Sequence, residues 1–168
     1  MKLRMKYLIT LFLFAAVVST NAQTVDDAID WNDDIVLTQS LMLSFEDILI
    51  ESIANDEPAD SIATAYIDYV TFIDVAIEVY EAEEAFDSQD IFRKALLELL
   101  YVFKAVAENE YVELIDIYLT PVEELTDVDF ERWDDLLAII DEKEIAANDA
   151  FLDAQEKFAD QYGFSLGD

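Results

Sequence analysis

Cysteine and histidine are absent from this chain of 168 residues, and glycine and proline occur only twice each. Without cysteine there is no disulfide framework, no thiolate metal site and no cysteine to carry a lipid. Without histidine the commonest metal ligand and general base are missing, together with every Ser-His or Cys-His nucleophile pair. Both glycines, Gly163 and Gly167, lie within the last six residues. Glycine-rich phosphate cradles, EF-hand loops and tight hairpins therefore have no residue to build them. Positive charge is scarce as well: nine Lys and Arg stand against 39 Asp and Glu, a net charge of −30. That balance excludes a nucleic-acid partner and disfavours adsorption to anionic lipid.

The few basic residues are unevenly placed. Lys2, Arg4 and Lys6 precede an uncharged apolar run of eleven residues from Leu8 to Val18, followed by Thr20-Asn21-Ala22. This is the layout of a secretory signal peptide cleaved after Ala22. The apolar run is shorter than the roughly 20 residues that span a bilayer. Residues 1–22 are thus expected to be a signal peptide, and residues 23–168 one exported domain, periplasmic or secreted, with no stable membrane insertion after cleavage. That domain keeps all 39 acidic residues and six of the basic ones, a net charge of −33. Its many Ile, Leu, Val, Phe and Tyr side chains set it apart from disordered acidic chains.

Apolar residues recur at spacings of three and four, the helical period. The first segment, Val25 to Ala54, carries Ala28/Ile29, Ile35/Val36, Met42/Leu43 and Leu49/Ile50, and Thr24 with Asp27 forms a capping-box start. Pro58 suits the opening turn of a second segment, Ala59 to Phe86. Ser88 is the expected cap of a third, Gln89 to Leu119, whose apolar face is interrupted at Glu108-Asn109-Glu110. The fourth starts at Thr126 or Asp127, shows Phe130, Trp133, Leu137, Ile140, Phe151 and Phe158 along one face, and stops at Gly163 near Tyr162. Four helices of about 30 residues, each about 45 Å long, with short connections predict an all-α, up-down-up-down antiparallel four-helix bundle.

Polar residues on the apolar stripes are the candidate site. Asn32, Gln39 and Glu46 fall seven apart along the first helix, Glu144 and Asn148 lie on the buried line of the fourth, and Glu110 marks the interruption in the third. One reading is a polar pocket or a carboxylate site for a divalent cation; the other is a set of buried amides that fixes helix register. Asp127-Val128-Asp129-Phe130-Glu131 begins like a calcium loop, but Arg132 occupies the required glycine position and Ala138 the bidentate one. Tyr66, Tyr69 and Tyr80 are expected on the core side of the second helix, facing Trp133, as packing or as the wall of an apolar cavity.

The stretch Ala28-Ile29-Asp30-Trp31-Asn32-Asp33-Asp34-Ile35-Val36, with Gln39 after it, resembles the opening of a family of uncharacterised exported helical bacterial proteins. The ending Ala154-Gln155-Glu156-Lys157-Phe158-Ala159-Asp160-Gln161-Tyr162-Gly163-Phe164 is similar to that family's last helix. Some members are described as surface proteins or lipoproteins, and this chain lacks their lipid-bearing cysteine. The resemblance implies a helical exported protein and brings no catalytic residues. The expectation is a non-enzymatic binding or interaction protein that needs no cofactor, with an unknown protein partner, a weakly bound divalent cation or a small apolar ligand as the alternatives.

Overall fold

A computed structural model describes residues 23–167; the signal-peptide reading falls on residues 1–22, outside that range. Thr24 opens the first helix, its hydroxyl accepting from the Asp27 N–H at 3.1 Å while its own N–H donates to the Asp27 carboxylate at 2.8 Å. Thr126 opens the last helix and donates its N–H to Asp129 at 2.8 Å. These bonds hold both carboxyls below their ordinary range. At the far end, Gly163 takes the left-handed conformation (φ +74°) that stops the last helix. With no other glycine to spare, Asp56 and Asp90 take the left-handed region (φ +56° and +55°) at two connections, and Asp is one of the few side chains that does so routinely.

The elements between are α1 Val25–Ala54, α2 Ala59–Ala82, α3 Ile91–Val106, a π-helical turn Ala107–Tyr111, α4 Val112–Leu119 and α5 Asp127–Tyr162. α3, the π turn and α4 are continuous, so four rods pack around one core, with no strand among the described residues. No described helix is long and apolar enough to cross a membrane. In α1 the first member of each expected pair, Ala28, Ile35, Met42 and Leu49, is fully buried. Phe92, Leu96, Leu99 and Phe103 meet them from α3.

Four local expectations change. α2 stops at Ala82 rather than Phe86, because Phe86 leaves the helix to pack on Trp31, Phe158 and Tyr162. Asp87, not Ser88, organises the next turn: its carboxylate accepts from the N–H groups of Gln89 and Asp90 and from Gln161 and Tyr162. In α5, Ile140, Phe151 and Phe158 are buried as expected, but toward its start Leu136 is buried while Phe130 and Leu137 are exposed. Trp133 lies against Tyr118 instead of the α2 tyrosines, since α4 and the start of α5 are joined by a short connection; Trp31 meets Tyr80.

The π turn resolves the polar interruption in the third segment. Continuing the four-three spacing of Phe92, Leu96, Leu99, Phe103 and Val106 would bring Glu110 and Glu113 to the core. The wide turn takes up one extra residue, and Tyr111 and Leu114 are buried in their stead. Widening the turn disturbs the regular pairing of its carbonyls, and side chains attend to them: the Tyr66 hydroxyl donates to the Ala107 carbonyl at 3.3 Å and Asn109 Nδ2 to that of Ala105 at 2.6 Å.

Candidate functional site

The seven-residue repeat of Asn32, Gln39 and Glu46 gives α1 a line of polar groups toward α5. Gln39 Nε2 donates to Asn148 Oδ1 at 3.0 Å, and Gln155 Nε2 donates to Asn32 Oδ1 at 3.0 Å. The partner positions fall on α5 as they rise on α1, so the two helices run antiparallel along this seam. Asn32 is buried and the other three amides are half-buried, so the pairs supply hydrogen bonds where water has limited access. Gln155 was not singled out in the sequence; its spacing of seven from Asn148 is the signal that marks it.

The third rung changes chemistry. Glu46, only 5% exposed, accepts hydrogen bonds at Oε1 from Tyr111 at 2.9 Å and from Tyr69 at 3.3 Å. The Glu144 carboxyl of α5 adjoins it. Glu144 Oε1 is buried and receives no donor from an amide, hydroxyl or ammonium group. Burial pushes the Glu46 carboxyl above its ordinary range, against the pull of Glu144, Tyr111 and Tyr69. The Glu144 carboxyl is pushed up to about 9, by burial first, then by its bond to Glu46 and the charges of Glu46 and Asp141. Both carboxyls are thus shifted toward the protonated form, Glu144 the further of the two by the causes given. The Tyr69 and Tyr111 hydroxyls are driven upward by burial and the adjoining carboxyls, so both remain donors.

Beside this pair is a pocket of about 340 Å³ between the end of α1, the π turn with α4, and α5. Ile50, Ile53, Leu114, Leu137 and Ile140 supply apolar wall, Tyr111 and Trp133 aromatic wall, and Asp141 and Glu144 its carboxyls. Tyr111 thus serves both features, touching the pocket and donating to Glu46. The remaining candidate, Glu110, is elsewhere: its Oε1 accepts from Lys143 at 2.8 Å. Glu46, Glu110 and Glu144 do not form one cluster, and among the described residues no three acidic side chains converge as a metal cage would require. The arrangement can store a proton, bind a positive charge and shelter apolar surface.

The chain matches no family model, no curated protein and no solved structure.

Proposed function

We propose that the protein is an exported, non-enzymatic binding protein, built as an up-down-up-down bundle, that receives a small and largely apolar ligand between α1, α4 and α5. The observation that carries this reading is the 340 Å³ pocket, apolar and aromatic over most of its wall with two carboxyls at one side. The absence of His and Cys supports a binding role over catalysis. The basic and apolar N-terminal layout supports export, and the resemblance of both chain ends to exported helical proteins points the same way.

Ala54 lines the pocket from an exposed position, so Ala54→Phe would fill it without rebuilding the core. Mass spectrometry of organic extracts from protein purified from its native compartment should recover a small molecule from the wild type and much less from A54F. Equal recovery from both, or none from either, removes the reading. A second reading, a protein partner, is favoured by one feature: Leu37, Leu41 and Ile48 make an exposed apolar stripe on the outer face of α1. Replacing all three by Glu would abolish capture of such a partner and leave the pocket unaffected.

A further inference from the structure

The pocket has an uneven chemistry that narrows its occupant. Ile53, Leu114 and Ile140 are almost wholly buried and offer a dry surface. Around them Tyr111 and Trp133 contribute aromatic rings, and Asp141 and Glu144 contribute carboxyls. No Lys or Arg belongs to the wall; Arg132 and Lys143, the basic residues of this part of α5, are engaged by Glu113 and Glu110 at 2.6 and 2.8 Å. Aromatic faces and carboxylates both attract cations, most strongly where water is excluded. An anionic head group would meet charge of its own sign.

We infer that the occupant is an organic ammonium ion, its hydrocarbon body against Ile53, Leu114 and Ile140 and its positive head among Tyr111, Trp133 and Glu144. This rests on the small-ligand reading and adds to it a charge. The groups that face the Glu46–Glu144 pair are Tyr69 from α2, Tyr111 from the π turn, Asp47 on α1 and Asp141 on α5. None of them is positive, so the ligand supplies the counter-charge that the protein lacks there. As the cation enters, a Glu144 carboxyl that holds its proton loses it: the O–H bond breaks, the proton passes to water, and the pair gains one negative charge. Binding and proton release are then linked, with about tenfold in affinity for each pH unit gained below the carboxyl's own titration.

Two probes of one shape separate charge from shape: benzyltrimethylammonium, which cannot titrate, and its carbon isostere neopentylbenzene. Calorimetry or NMR titration with the purified protein should show the ammonium binding at least tenfold more tightly, with an affinity that climbs from pH 7 toward pH 9. Glu144→Gln keeps a donor for Glu46 through its amide, so the fold is retained. In that variant the climb is lost and ammonium affinity at pH 9 falls at least tenfold, while neopentylbenzene binds as before. Glu46→Gln, which also removes one charge from the pair, is the second variant and should weaken ammonium binding in the same direction. Equal affinity for the two probes overturns the ammonium assignment and leaves the small-ligand reading standing. Unchanged ammonium affinity in both variants does the same. Failure of both probes to bind the wild type at any pH overturns both.

Discussion

Glu144 of α5 adjoins Glu46 of α1 across their seam, and burial pushes both carboxyls above their ordinary range. In the unfolded chain each would titrate near 4.5, whereas Glu144 in the fold is pushed up to about 9. The folded state therefore keeps a proton that the unfolded state gives up. The stability this contributes is complete below about pH 4.5 and is lost progressively as pH rises toward 9.

Glu144→Gln removes that dependence. Its amide can donate to Glu46 and has nothing to ionise, so urea unfolding at pH 8 should show the variant more stable by on the order of 1–2 kcal/mol, allowing for the solvent-facing edge of the side chain. Near pH 4 the two proteins should unfold together. A variant less stable than wild type at pH 8 would show that burial does not raise the Glu144 carboxyl.

Tyr111→Phe deletes the shorter of the two hydroxyl bonds to Glu46, 2.9 Å against 3.3 Å for Tyr69. Both rings stay in the core, so the loss isolates the hydrogen bond. Y111F should cost about 1–3 kcal/mol and more than Y69F. In an E46Q background the Y111F cost should shrink, because the acceptor no longer carries charge. Equal costs in both backgrounds would mean that the two side chains are not coupled.

Arg93 lies in α3, but its guanidinium serves the end of α2, donating to the carbonyls of Tyr80 at 2.7 Å and Glu83 at 3.0 Å while paired with the buried Asp90. α2 has no basic residue in its own last turn, so this is the positive charge its dipole meets. Arg93→Ala strands Asp90 and the carbonyls together and should cost about 2–4 kcal/mol. Arg93→Lys, which has no planar fork, should recover less than half. Thermal unfolding with both variants decides it, and full recovery by Lys would show that charge alone matters.

With a net charge of −30 the fold works against its own repulsion. Raising sodium chloride from 10 mM to 0.5 M should lift the melting temperature by several degrees at pH 8, as screening shortens the Debye length. A flat response would mean that local pairs, such as Lys104 with Asp74 at 2.6 Å, already offset the repulsion.

The rods were legible because Ala28, Ile35, Met42 and Leu49 repeat at seven and almost nothing interrupts them. Thr24, Thr126 and Gly163 announced their ends through local hydrogen bonding and backbone conformation alone. Phe86 was misplaced because its helical spacing is as good as that of Phe72, and only contacts with Trp31 and Phe158 draw it out of α2. The candidate polar line was legible by its period, and its pairing was not. That Glu46 lies beside Glu144 was not legible, since relative helix offset decides which carboxyl opposes which, and a single sequence does not encode it locally. On the spacing set by Asn32–Gln155 and Gln39–Asn148, Asp141 would oppose Glu46; Glu144, three residues on, adjoins it instead.

The wide turn at Ala107–Tyr111 amounts to one surplus amino acid in an otherwise regular rod. Its removal has a definite outcome. Excising Asn109, whose side chain only reaches back to Ala105, would let Tyr111, Leu114 and Tyr118 slip into the unbroken cadence of Phe92 through Val106. The shortened chain should fold, with circular dichroism like the parent's, while the phenol of Tyr111 is drawn about 1.5 Å along the axis and away from Glu46. Excising Glu98 in mid-α3 would instead spin every later side chain by about 100° and scramble the interior. The spare residue is thus a ratchet tooth: the bundle tolerates its loss, and the paired carboxyls do not.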